Sequence, residues 1–305
     1  MNPVTTLENA KDASHRLLSE LSGRVAETVR SCGEDQVHDL RVATRRFNQA
    51  LRTFEACFEK RVIAKVGKRL KKTLRLAGCV RNLDVAMKHA ARWKLPGQDH
   101  LTTQRDEAAR ELTRWLARWV ERGWTAHWRK QLKPRSRELE SVSVQDHARR
   151  LLSEMAAGFF CRGDEAAAPA ATPIQMHGFR IAAKKFRYTM ELFAPAYGPA
   201  LDARIGAVRK LQTVLGELND CVTLCGILQG DLAAGRLRGR QRRKIAEFRK
   251  EWRSGFSGGT TVRDWVQGLA LLSSRKGPQR EPACRQGNFR IRTLRHRRRR
   301  TAGGA

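Results

Sequence analysis

The sequence predicts an all-α protein that contains two similar helical bundles. Apolar residues recur at helical spacing along most of the chain, with little of the period-2 alternation or hairpin-turn chemistry that marks strands. The segment from Val37 to Phe58 returns as Met176 to Phe193, at an offset of 139 residues. A helical segment repeated at this distance indicates an internal repeat of a whole helical unit.

Helices in the first half, residues 5–132, follow from apolar residues spaced three or four positions apart. They are expected, in chain order, at 5–30, 37–58, 60–77, from the glycine turn at 76–85 to Pro96, and at 99–119. Gly78, in that turn, is expected to break the chain between two helices. Trp119, Trp124 and Trp128 follow, and tryptophan at helical spacing favours core packing over stacking on nucleobases.

The second half, residues 144–272, repeats this pattern. Helices are expected at 144–160, 176–195, 199–215, 219–232, 238–253 and 261–272, with a flexible loop at 163–173. Gly216 is the counterpart of Gly78 and is expected to break the chain in the same way. The folded domain is thus predicted to span 5–272, and the arginine-rich, apolar-poor residues 273–305 are expected to form a disordered basic tail.

The chain is strongly basic. Its 305 residues include 61 Lys and Arg against 30 Asp and Glu, for a formal net charge of +31. A surplus of this size favours a polyanion as the partner, whether nucleic acid, an anionic membrane surface or inorganic polyphosphate. No stretch approaches the roughly 18 apolar residues of a membrane span and no secretory signal is evident. We therefore expect no membrane insertion and take a cytoplasmic location as the default.

Each copy of the repeat predicts a helix with a cationic face opposite an apolar face rich in phenylalanine. The aligned cationic positions of the two copies are His38 and His177, Arg41 and Arg180, and Arg45 and Lys184. A solvated helix face usually mixes charges of both signs, whereas like charges four residues apart destabilise a helix. These single-signed stripes therefore predict a bound anion. More cations lie on the helices that follow, at Lys71, Lys72, Arg75, Arg209 and Lys210.

His38 and His177 allow three interpretations. As metal ligands they would need His or Glu partners three or four positions along the helix, where the chain has arginine instead. As core histidines they would face the apolar side. As phosphate donors they would lie on the cationic side and become charged near neutral pH because an anion raises the pKa of imidazole, and this interpretation fits the pattern best.

These motifs resemble those of the CHAD domain family, an α-helical family named after its histidine. The resemblance covers about residues 5–272 and rests on the His-x-x-Arg motifs at His38 and His177, each followed at a similar distance by a glycine-turn motif. It implies two four-helix bundles related by a pseudo-two-fold axis, a basic pocket between them that binds inorganic polyphosphate, and association with polyphosphate granules. The ligand-facing candidates that it implies are His38, Arg41, Arg45, Arg46, His177, Arg180, Lys184 and Lys185, followed by the less specific Lys71, Lys72, Arg75, Arg209 and Lys210.

Other function classes fit parts of the sequence. The tryptophans, the basic run at 242–244 and the arginine-rich tail would suit contact with an RNA or DNA backbone, and a basic scaffold could dock an acidic protein. Catalytic phosphoryl transfer is not expected, because the cationic stripes carry no paired acids for magnesium and the chain has no Walker-type glycine loop. Asp84 and Asp220, after the two glycine turns, are expected to orient an arginine or cap a helix. No cofactor or metal is expected.

Overall fold

Ten α-helices account for nearly all of the residues that this computed structural model describes, which are 5–95, 98–135, 139, 141–197, 201–228 and 231–270. In chain order they are α1 (Thr6–Arg30), α2 (Glu34–Thr53), α3 (Lys60–Trp93), α4 (Gln98–Glu121), α5 (Trp124–Gln131), α6 (Val144–Ala167), α7 (Pro173–Tyr197), α8 (Asp202–Cys225), α9 (Asp231–Gly255) and α10 (Gly259–Ala270). The predicted all-α class is confirmed. The tail predicted at 273–305 lies outside the described residues.

The helices pack mainly with others from the same half of the chain. Between the halves, α2 packs on α7, α3 packs on α8, and α1 makes a smaller contact with α6. One hydrophobic core draws residues from both halves, and a smaller apolar cluster joins Ala86 and Leu101 to Leu224 and Leu237. The division into two repeated four-helix bundles, with a junction between 132 and 144, stays a prediction.

Helices α3 and α8 are continuous where the sequence predicted breaks. Helix α3 passes through Gly78 and α8 passes through Gly216, so the two predicted glycine breaks are wrong. An interior glycine costs a helix only about 1 kcal/mol, which the packing of a long apolar face outweighs. Gly78 instead allows the guanidinium of Arg41 to approach the α3 backbone closely, because a Cβ at this position would lie 2.9 Å from Nη1 of Arg41.

The loop predicted at 163–173 is shorter in the structure, where it spans 168–172, because α6 extends to Ala167 and α7 begins at Pro173. Gly163 lies inside α6, and a Cβ at this position would overlap the ring of Trp252 on α9. The glycine therefore marks a close helix–helix contact. Proline suits the first turn of α7, where its missing N–H has no helical partner.

Aromatic side chains fill the core as predicted. Trp119, Trp124 and Trp128 are buried, and the rings of Trp119 and Trp128 meet with centroids 4.6 Å apart. The equivalent phenylalanines of the two copies, Phe54 and Phe193, also meet edge to face at 5.7 Å. Among the described helices, none combines the length and apolar character needed to cross a bilayer.

Candidate anion-binding site

Helices α2 and α7 pack so that corresponding residues of the two copies face each other. Next to the Phe54–Phe193 contact, Nε2 of Gln49 donates a 3.0 Å hydrogen bond to Oγ1 of Thr189, and both side chains are buried. Buried polar pairs of this kind fix the register of two helices, because a shift would leave a buried amide unsatisfied. This register brings the cationic stripes together one to two turns earlier on the same helices.

Four cations of these stripes form one cluster, which we call the cationic cluster: Arg41, Arg45, Arg180 and Lys184. Burial lowers the pKa of Lys184 to about 6, assisted by repulsion from the three arginines. The pKa of Arg41 is lowered to about 10. Burial is the largest cause, and repulsion from Arg45 and Arg180 is the next. None of the four makes an ion pair within the described part of the chain. The cluster therefore carries positive charge in a partly desolvated place.

The surroundings of the cluster compensate its charge only weakly. Nη1 of Arg41 donates to the backbone carbonyl of Leu74 at 3.3 Å, across the space that Gly78 leaves open. The carboxylate of Asp220 on α8 acts against the fall in the pKa of Arg180 and of Lys184. A carbonyl dipole and one nearby carboxylate cannot balance three guanidinium charges, so an anion would stabilise this arrangement and favour the charged form of Lys184.

His38 and His177 are exposed at the N-terminal ends of the two stripes. The core interpretation is therefore wrong for both. The pKa of His38 is lowered, mainly because the imidazole is partly buried and next because Arg81 repels its charged form. Nδ1 of His177 lies 3.2 Å from Oδ1 of Asn219, so Nδ1 is the donor in this hydrogen bond.

Residues of the first glycine-turn motif line this end of α3. Arg81 hydrogen-bonds to Glu34, and Nζ of Lys88 lies 2.6 Å from the same carboxylate. Oδ1 of Asp84 accepts a 3.0 Å hydrogen bond from Nε of Arg105 on α4. Asp84 thus orients an arginine, as predicted. Arg81 also contributes charge to the site, and its place in the glycine-turn motif was the sequence signal for it.

Arg46 and Arg209, two further candidates, point to the same acid instead of the cluster. Glu191 on α7 lies 3.5 Å from Arg46 and 3.6 Å from Arg209. Arg46 also lies 3.6 Å from Glu20 on α1. One residue beyond Arg45 is a turn of about 100° on the helix, which is enough to direct Arg46 to a different neighbour.

Lys72 and Arg75 face α4. Nζ of Lys72 lies 4.1 Å from the ring centroid of Trp115, and Arg75 lies 3.6 Å from Glu111. These contacts are a cation–π interaction and an exposed ion pair, both of which stabilise the α3–α4 packing modestly. The structure does not bring either residue to the cluster.

The remaining candidates lie on other surfaces. Lys71 lines a groove between α2 and α3 together with Arg52. Burial lowers the pKa of Lys185, followed by repulsion from Arg52 and Arg162, so it belongs to a separate basic region. Lys210 is exposed on α8. Of the thirteen predicted residues, the α2–α7 contact therefore brings six together: the four residues of the cationic cluster and the two histidines at its ends.

The fold and this site define an all-helical protein in which a repeated His-x-x-Arg helix supplies a shared cationic cluster. The family model that matches the chain is the CHAD domain, over residues 13–229, and the chain belongs to the CHAD domain family.

Two solved structures are similar to this chain. The CHAD domain from the plant Ricinus communis matches with a TM-score of 0.59 and 18% identity, over 87% of this chain and 92% of that one. PptA from Streptomyces chartreusis matches with a TM-score of 0.54 and 14% identity, over 88% of this chain and 100% of that one. At these identities the likeness shows a shared fold. No curated protein matches the sequence.

Proposed function

We propose that this protein binds inorganic polyphosphate through the cationic cluster. The observation that supports this most is the half-buried, single-signed charge of Arg41, Arg45, Arg180 and Lys184, without an ion pair in the described residues. Desolvated like charges are costly, and a bound polyanion removes that cost by neutralising the three guanidinium groups and favouring the charged form of Lys184.

The chemistry of the polymer matches the cluster. Polyphosphate is a string of tetrahedral phosphates with about one charge per unit and no bases. Its receptor needs planar guanidinium forks and ammonium point charges at close spacing along a surface, which arginine and lysine on adjacent helical turns provide. Many contacts along one polymer add up, so we expect longer chains to bind more tightly and added salt to weaken binding steeply.

Nucleic acid is the competing ligand, and the positions of the tryptophans favour polyphosphate. Single-stranded nucleic acids gain affinity from bases that stack on accessible aromatic side chains. Trp119, Trp124, Trp128, Trp252 and Trp265 are buried and offer no platform of this kind, whereas the other two tryptophans, Trp93 and Trp115, are half-buried. We further propose that the protein is a binding module that associates with polyphosphate granules and does not catalyse phosphoryl transfer, which relies on paired carboxylates to hold magnesium.

Charge reversal at the cluster tests this proposal. The double variant Arg41→Glu with Arg180→Glu should lower affinity for a defined polyphosphate by about a hundredfold or more, because the two sites lose four units of charge. The control is Arg110→Glu with Arg118→Glu, which changes net charge equally on the exposed face of α4. Circular dichroism should show equal helix content in all three proteins. Equal affinity of the two double variants would mean that net charge, and not the cluster, binds the polymer.

A chain that ends at residue 272 separates the cluster from the arginine-rich tail. Polyphosphate and RNA would be titrated at equal phosphate concentration and fixed ionic strength against the full and the shortened chain. We expect shortening to lower RNA binding and to leave polyphosphate binding in place, because tail charges contribute sequence-independent attraction. A shortened chain that prefers RNA would refute the polyphosphate assignment.

A further inference from the structure

A cavity of about 320 Å³ opens between α7, α8 and α9, with His177 and Arg180 in its wall. Most of the wall is apolar, formed by Ile174, Met176, Leu215, Leu218, Val222 and Ile245. Two of these residues are left in solvent at its edge: Ile174 is 74% exposed and Val222 is 51% exposed. Exposed aliphatic side chains around a concave surface mark a binding site more often than isolated ones do.

The sequence repeat shows that this apolar character is a difference between the two halves. Aligning the His-x-x-Arg motifs pairs Ile174 with Asp35, at an offset of 139. Aligning the glycine-turn motifs pairs Val222 with Asp84 and Asn219 with Arg81, at an offset of 138. Each of these charged residues of the first half is therefore replaced by an apolar or neutral residue in the second.

In the first half, two of the three replaced positions, Asp84 and Arg81, form ion pairs. Asp84 binds Arg105 at 3.0 Å, and Arg81 pairs with Glu34. Gln241 takes the place that Arg105 has in the first half. Each follows by four residues a leucine of the small apolar cluster, Leu101 before Arg105 and Leu237 before Gln241. Gln241 lines the cavity, so the second half has an uncharged amide where the first half has a paired guanidinium.

This composition indicates which ligand fits. A bare phosphate gains nothing from an aliphatic wall, whereas a heterocyclic ring gains affinity by burying its faces there. The amides of Asn219 and Gln241 add hydrogen-bonding groups for the edge of a ring. Arg180, in the same wall, supplies the cationic end, and His177 adds an imidazole that can hydrogen-bond to phosphate.

We propose that the cavity binds the base of a nucleoside polyphosphate, with the phosphates extending to His177 and Arg180. The volume of about 320 Å³ falls within the range of pockets that hold small ligands, and it suits a base with part of its ribose. The inference rests on the proposed function only in that the phosphates use Arg180 of the cationic cluster.

The probes are ATP and inorganic tripolyphosphate, which carry the same number of phosphates, titrated calorimetrically against the full chain. Tripolyphosphate reports the cationic groups alone, and the ratio of the two affinities reports the base. The test variant is Ile174→Asn with Val222→Asn, which is neutral and changes only exposed side chains. Its control is Val120→Asn with Leu232→Asn, at aliphatic residues of 55% and 57% exposure outside the cavity wall.

We expect wild type to bind ATP more tightly than tripolyphosphate. The cavity variant should lower ATP affinity by about tenfold and leave tripolyphosphate affinity within about twofold, because only the base loses apolar contact. The control variant should match wild type. Equal affinities of wild type for both probes, or an unchanged ratio in the cavity variant, would overturn the inference. If wild type prefers ATP as expected but does not bind long polyphosphate, the proposed function fails while this inference stands.

Discussion

Polyphosphate binding should strengthen as the pH falls, because Lys184 takes up a proton when the polymer binds. The groups that face this lysine are Arg180, Arg45 and Arg41, which repel its charged form, and Asp220, which favours it. Burial is the largest cause, and together these effects hold the pKa of Lys184 at about 6. Phosphates beside the ammonium group reverse the balance and return the pKa towards its ordinary value of 10.5.

The size of the effect follows from proton linkage. With a pKa of about 6, Lys184 is charged in about one tenth of the unliganded molecules near pH 7. The complex would hold about 0.9 more protons than the separated components. Between about pH 8 and about pH 6, the affinity should rise by roughly fiftyfold through this one group. The lowered pKa of His38 adds a smaller change in the same direction.

Calorimetry in two buffers with different ionisation enthalpies measures the proton uptake directly near pH 7. The matched control is Lys184→Arg, because a guanidinium stays charged over this whole pH range. We expect the arginine variant to lose most of the pH dependence and most of the proton uptake. The same slope in wild type and variant, or no proton uptake in wild type, would refute the assignment of the effect to Lys184.

The same lysine should make the unliganded protein more stable at higher pH. Its folded-state pKa lies below the unfolded value, so the unfolded chain binds more protons between about pH 6 and about pH 10.5. The free energy of unfolding should therefore rise on the order of 2 kcal/mol from about pH 6.5 to about pH 8.5. Urea unfolding of wild type and of Lys184→Met at both pH values measures this, and a slope that survives in the methionine variant would point to other groups.

Two glycines give further predictions. Gly78→Ala should weaken polyphosphate binding by about three- to tenfold, because its Cβ would lie 2.9 Å from Arg41 Nη1 and displace the guanidinium. The matched Gly216→Ala, with open space at its Cβ, should keep wild-type affinity and gain about 0.5–1 kcal/mol of stability; equal affinities of the two variants would contradict the role given to Gly78. Gly163→Ala should cost roughly 2 kcal/mol or more in urea unfolding, because its Cβ overlaps the ring of Trp252, and a cost below about 0.5 kcal/mol would show that the ring moves aside freely.

Helical periodicity was enough to predict the faces of each helix. Phe47, Phe54, Phe186 and Phe193, assigned to apolar faces, are all buried. The direction of a side chain relative to its own helix depends only on the 3.6-residue repeat, so one sequence contains it. The family motifs could be found from the sequence for the same reason, because each motif is a short stretch with its own internal spacing.

Glycine was where local interpretation failed. Gly78 and Gly163 were predicted to lie in a turn and a loop, yet both lie inside helices, where a guanidinium and an indole ring from elsewhere in the chain approach the position that a Cβ would take. The chemistry of glycine permits either outcome. Which one occurs depends on a partner that is distant in sequence.

The sequence by itself determined that this is a helical, strongly basic protein with two equivalent cationic faces. Only the tertiary structure decided that Arg41 and Arg180 share one cluster while Arg46 pairs with Glu191, and that Lys184 is buried enough to lower its pKa to about 6. The physical reason is that spacing along a helix fixes where a charge points, whereas its solvation and its neighbours depend on how separate helices pack.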